Sequence, residues 1–172
     1  SAYDCSEVEQ LYYDARQSYY SRNFALAKAK YEACLDADPA HQRARVDYSE
    51  MLYRFGKHEE ALKNINLALS NDFYDAPGNF VAGAIYKALG QHIDALEAFG
   101  WAARSMEFRS SAYAAMAETY LVMEDLKKAG DYAKKALEFN VNNIMALQVL
   151  GLTGRLMNDK VMVLEAYERI KS

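Results

Sequence analysis

The sequence has little that breaks, bends or cross-links a chain. Two prolines, Pro39 and Pro77, and eight glycines are all that 172 residues contain. Abundant Ala, Leu, Glu, Lys and Tyr favour helix throughout. Two cysteines, Cys5 and Cys34, are too few for a disulfide framework, and no Cys-x-x-Cys spacing offers zinc a site. Cys34 reads as a small buried apolar residue and Cys5 as an incidental thiol. No apolar run approaches the roughly 20 residues needed to span a bilayer, so membrane insertion is not expected. No charged-then-apolar signal segment opens the chain; the compartment stays open, with a soluble protein expected and the cytoplasm favoured. A net charge of −4 offers no broad basic surface to nucleic acid or anionic lipid. No stretch alternates with period two between hairpin turns. The expected class is all-α.

Motifs that carry chemistry are missing too. No His-Glu-x-x-His, Gly-x-Ser-x-Gly, P-loop or dinucleotide-binding glycine run occurs. His58 and His92 follow corresponding turns but have no third ligand beside them, so they read as packing residues rather than metal ligands. Glu59 and Glu60 are adjacent and point apart on a helix, which fits a solvated first turn. Ser110 and Ser111 suit a helix cap better than a nucleophile. No catalytic residue, metal or cofactor is expected, and the chain reads as non-enzymatic.

What the chain does have is a period. Shifted by 34 residues it aligns with itself without a gap, in units 8–41, 42–75, 76–109, 110–143 and 144–172. A first small position reads Ala15, Ser49, Gly83, Ala117 and Gly151; a second reads Ala27, Ala61, Ala95, Ala129 and then Val163. A third reads Cys34, Ala68, Ala102, Ala136 and then Ile170. Between the last two lies a larger residue, Tyr31, Ile65, Phe99 and Tyr167, with Ala133 smaller. Small residues let two helix axes approach, and the large one fills the gap beside them. Ala61, Ala95 and Ala129 are therefore expected to be inaccessible. Each unit divides into two helices at a turn: SRNF, FGKH, LGQH, MEDL and MNDK. Gly56 and Gly90 suit a helix end that needs positive φ, with Asn158 the next best choice. Asp125 and Asp159 can cap the helices that follow.

This pattern resembles the tetratricopeptide repeat family over nearly the whole chain. The resemblance rests on the period, the helix–turn–helix division, the three small positions and the Ala-Asp-Pro ending at Pro39. FGKHEEALKNINLAL and LGQHIDALEAFGWAA carry it most closely. Phe73, Glu107 and Val141 depart from it where a closing proline is usual, and Gly154 stands where the fifth unit would carry tyrosine. The resemblance implies a right-handed α-solenoid, one domain over 1–172, and a scaffold that binds a protein or peptide partner. GWAARSMEFRSSAYAAMAETYL also resembles repeat arrays of large bacterial multidomain proteins. That likeness implies a segment of a longer protein, possibly an enzyme, in which the repeats orient or oligomerise the whole. An RNA reader of the pentatricopeptide kind would want a basic groove, which the charge and the even spacing oppose.

First helices line a concave surface in the tetratricopeptide family. The resemblance places Glu9, Tyr12, Arg16, Tyr19 and Tyr20 there from unit one, and Arg43, Val46, Glu50, Tyr53 and Arg54 from unit two. Unit three adds Phe80 and Lys87. Tyrosine and arginine each couple a large body to a polar tip and are enriched where binding energy concentrates. Tyr12, Tyr19, Tyr20 and Tyr53 with Arg16 and Arg54 therefore form the best candidate site. The alternative is that a tyrosine-rich chain simply has tyrosines on its inner face. Relatives that clamp the acidic tail of heat-shock chaperones use lysine, asparagine and arginine at fixed first-helix positions. Here Tyr12, Arg16, Asp47, Pro77 and Val81 stand there, and Asp47 would repel a carboxylate.

Trp101, the sole tryptophan, falls on a second helix where the family usually carries a polar residue facing water. Either it covers Gly100 and neighbouring second helices, or it contacts a flanking domain or second copy. The last helix holds Val161, Met162, Val163 and Leu164 in succession, and four adjacent apolar residues circle a helix. Val161, Met162 or Leu164 is expected to be exposed, with self-association through this helix and a further helix after Ser172 as the implied consequences.

Overall fold

The computed structural model describes residues 5–171. Ten helices and no strand occur among them, in the order α1 (Cys5–Tyr20), α2 (Phe24–Ala37), α3 (Gln42–Arg54), α4 (His58–Asn71) and α5 (Ala76–Ala88). They continue as α6 (His92–Ala102), α7 (Arg109–Val122), α8 (Leu126–Phe139), α9 (Ile144–Leu156) and α10 (Lys160–Lys171). Two compact units divide the chain after Phe73. The first holds α1–α4 and the second α5–α10.

Every odd-numbered helix ends in the same turn. One residue past the cap lies in the left-handed region: Arg22, Gly56, Gly90, Glu124 and Asn158 have φ between 57° and 76°. They stand 34 residues apart in sequence. Beside Gly56, the Gly56 amide donates to the Tyr53 carbonyl at 3.0 Å and the Lys57 amide donates to the Leu52 carbonyl at 2.9 Å. The same pair of bonds closes the other four turns. This double bond from the two residues past a helix satisfies carbonyls that would otherwise lack partners. Five equal turns fix five helix–turn–helix repeats in tandem.

Starts of helices are capped mostly by short polar side chains. Asn23, Asp75, Asp125, Asn143 and Asp159 each accept a bond from a backbone amide three residues on. His41 does the same for α3, its Nδ1 accepting from the Ala44 amide at 3.1 Å. A backbone amide can only donate, so Nδ1 is unprotonated and Nε2 carries the hydrogen that meets Glu9 at 2.6 Å. The junction before α7 lacks a side-chain cap and is closed from the other direction. The Arg109 guanidinium donates to the Ala103 and Arg104 carbonyls at 2.8 and 3.0 Å, placing a cation at the end of α6 where the helix dipole favours it.

The small positions are where helices meet. Ala61, Ala95 and Ala129 have no accessible surface. In the second unit Gly83 faces Phe99 so closely that a Cβ on the glycine would lie 2.5 Å from the ring. The corresponding pair one repeat later is Ala117 and Ala133, both fully buried. A large residue in one helix is thus matched by the loss of a side chain in the other.

Candidate functional site

In the first unit, α1 and α3 share a buried floor. Tyr12, Tyr31 and Val46 are each at most 3% exposed. The Tyr12 hydroxyl donates to Asp47 Oδ2 at 2.7 Å, and the Tyr12 ring lies 5.0 Å from that of His41. Burial pushes the Tyr12 phenol up to about 12, with the Asp47 carboxylate reinforcing the shift. Burial also raises the Asp47 carboxyl above its ordinary value, against the bond from Tyr12 and the nearby charges of Arg43 and Arg16. Tyr12 is therefore a fixed neutral donor. Tyr12 and Val46, both placed on the inner face by the sequence, form the base of this region rather than its open surface.

Above the floor the side chains become exposed. The Arg16 guanidinium lies 5.7 Å from the centre of the Tyr12 ring and 6.0 Å from that of Tyr20. Cation and ring face attract each other there. Tyr20 is 70% exposed and meets Tyr19 edge to face at 5.8 Å. On α3, Glu50 and Arg54 pair with one another at 2.9 Å, and the Tyr53 ring lies 5.6 Å from His58. Arg16 links Tyr12 to Tyr20, and Tyr20 to Tyr19. Glu50 and Arg54 form a separate pair one helix away. The arrangement offers ring faces, cations and one desolvated carboxylate, and no group of three His, Cys, Asp or Glu among the described residues is placed to hold a metal.

Comparison with known proteins comes from structure alone. No protein-family model matches the sequence, and no curated protein matches it. The solved structures include pilF of Pseudomonas aeruginosa, 16% identical with a TM-score of 0.86, over 94% of this chain and 74% of that one. A thermophilic tetratricopeptide repeat protein of Thermus thermophilus is 18% identical, with a TM-score of 0.75 over 94% of this chain and 89% of that one. A tetratricopeptide repeat protein of Parabacteroides merdae is 17% identical, with a TM-score of 0.78 over 95% and 65%. This chain has the tetratricopeptide-repeat fold. Its departures from the repeat pattern at Phe73 and Val141 sit beside Asp75 and Asn143, whose side chains cap α5 and α9. A capped start supplies locally the definition of the junction that a proline would give.

Elsewhere in the repeat fold the remaining expected residues fall in the second unit. Phe80 packs inward against Phe99 at 5.6 Å and Phe108 at 5.5 Å. Lys87 is paired with Glu118. Trp101 is half-buried, with Tyr74 edge-on at 5.2 Å and the Arg104 guanidinium 5.0 Å from its ring. On α10, Val161 is 75% exposed and Leu164 is also exposed, whereas Met162 is buried. Met162 lies over Gly130, its Cε 3.4 Å from where a Cβ would stand. None of the described helices is long and apolar enough to cross a membrane.

Three participants escaped the sequence reading. Asp47 was noticed only as an obstacle to a carboxylate, not as the acceptor for Tyr12. Phe24 and Phe55 lie in the quoted turns, and their rings meet at 4.9 Å. An aromatic residue at the end of one first helix and another at the start of the preceding second helix is the signal that marks them.

Proposed function

We propose that this chain is a non-enzymatic protein-interaction module whose α1 and α3 side chains take an extended segment of a partner protein. The observation that carries the reading is Arg16, held against both Tyr12 and Tyr20 with Tyr20 largely exposed beyond it. A cation already positioned on aromatic rings loses little freedom when it meets a ligand, which is what preorganised hot spots supply. The non-enzymatic part draws on the structural commitments of the polar groups. His41 caps α3, Asp47 holds the Tyr12 hydroxyl, and Ser110 donates to the Ala136 carbonyl. The tetratricopeptide-repeat fold adds an analogy, since such arrays present first-helix side chains to peptides.

The test is an unbiased displayed-peptide selection on the chain, followed by Tyr20→Ala with Tyr53→Ala. Selected peptides should lose roughly tenfold or more in affinity, with helicity and urea midpoint nearly unchanged. Equal affinity for the double variant would place docking elsewhere. A second reading, an oligomerising segment of a larger protein, is favoured by the exposed Val161 and Leu164 of α10. It predicts concentration-dependent mass in sedimentation that Val161→Glu abolishes.

A further inference from the structure

One edge of the first unit carries four aromatic rings in sequence, each standing across the next. Tyr20 meets Tyr19 at 76°, Tyr19 meets Phe24 at 62° with centroids 5.6 Å apart, and Phe24 meets Phe55 at 77°. Tyr20, Phe55 and Phe24 are 70%, 46% and 37% exposed. Edge-to-face pairs attract each other, but that attraction does not require the rings to face water. Contiguous exposed rings mark a surface that meets something.

The charges around this edge have one sign. Residues 20–24 and 53–58 contain Arg22, Arg54 and Lys57 and no carboxylate, in a chain whose net charge is −4. Arg54 is engaged by Glu50. Arg22 and Lys57 are exposed and make no ion pair among the described residues. A partner that complements this edge is acidic and brings rigid apolar groups. Rings standing across one another leave slots about one ring wide. Such slots accept a pyrrolidine and exclude a helix of about 10 Å diameter. Polyproline II chains dock on aromatic-lined surfaces in this way, at small ordering cost because the free chain is already extended.

We propose that the edge formed by Tyr19, Tyr20, Phe24 and Phe55 docks an acidic, proline-bearing extended segment of a partner protein. Its prolines lie against the rings and its carboxylates meet Arg22 and Lys57. This names the partner class for the docking surface inferred above and rests on that reading.

The test uses the whole chain and defined twelve-residue probes in fluorescence anisotropy. A repeated Asp-Pro-Pro peptide should bind, and repeated Asp-Ala-Ala and Lys-Pro-Pro peptides should each bind roughly tenfold more weakly or worse. Phe24→Ala with Phe55→Ala should weaken the first peptide about as much, as should Arg22→Glu with Lys57→Glu, which leaves every ring in place. Circular dichroism checks that both variants remain folded. No binding of the Asp-Pro-Pro peptide overturns the proposal, and so does equal binding of Asp-Ala-Ala or binding that survives both variants. Capture of an oligouridine in place of the acidic peptide makes the edge a nucleic-acid surface and overturns it too. Concentration-dependent association that the phenylalanine variant abolishes makes the edge a contact between copies, with the same consequence. If displayed peptides depend on Tyr20 and Tyr53 but not on Phe24 and Phe55, the docking surface stands and this assignment of its partner fails.

Discussion

Asp47 is the residue where local cost and position are most at odds. Its carboxyl is raised above the ordinary aspartate value by burial, so the folded chain holds that proton more tightly than the unfolded chain does. Stability is then lost as pH rises from the ordinary value through the folded one, and the loss is complete above both. Asp47→Asn keeps an oxygen to accept the Tyr12 hydroxyl and removes the charge. The expected result is a higher urea midpoint than the native chain at pH 7, with the difference vanishing in acid below the ordinary aspartate range. A lower midpoint at pH 7 would mean that Arg16 and Arg43 repay the burial of the carboxylate in full. A carboxylate kept at a cost beneath Arg16 fits a site used for recognition. Nothing in the sequence separates Asp47 from a surface aspartate, because its burial depends on Tyr12 arriving from α1.

Helices and turns were the most legible level. The small positions repeat every 34 residues because each is a contact between two helices, and a contact constrains residue size whatever the partner does. Gly83 states the rule most sharply. With its missing Cβ only 2.5 Å from the Phe99 ring, Gly83→Ala should overpack and destabilise by about 1–3 kcal/mol, read from urea melts; an unchanged midpoint would contradict the packing register. The turns were legible in part. Gly56, Gly90 and Asn158 announce a left-handed residue by their chemistry, whereas Arg22 and Glu124 adopt the same conformation without doing so. There the hydrogen bonds of the turn and the packing of both flanking helices override the local preference. Glu124→Gly should relieve that strain, partly offset by the greater freedom of glycine in the unfolded chain, for a net gain of roughly 0.5–1 kcal/mol. A loss of stability would show that the Glu124 side chain contributes more than its backbone costs.

At the scale of the molecule, the repeat fold was readable and the docking chemistry only partly so. Tyr12, Arg16, Tyr19 and Tyr20 share one helix, so their spacing alone groups them. Phe24 and Phe55 come together only when two turns meet, and Lys87 is taken by Glu118 from the next first helix, a pairing that charge and spacing do not single out. The central claim is that the α1 and α3 side of the first unit takes a partner segment. Nuclear magnetic resonance mapping of the ¹⁵N-labelled chain with a selected peptide tests it most directly. Amide shifts should concentrate between Tyr12 and Phe24 and between Arg43 and His58. Shifts confined to residues beyond Phe73, with those two stretches unmoved, would contradict it.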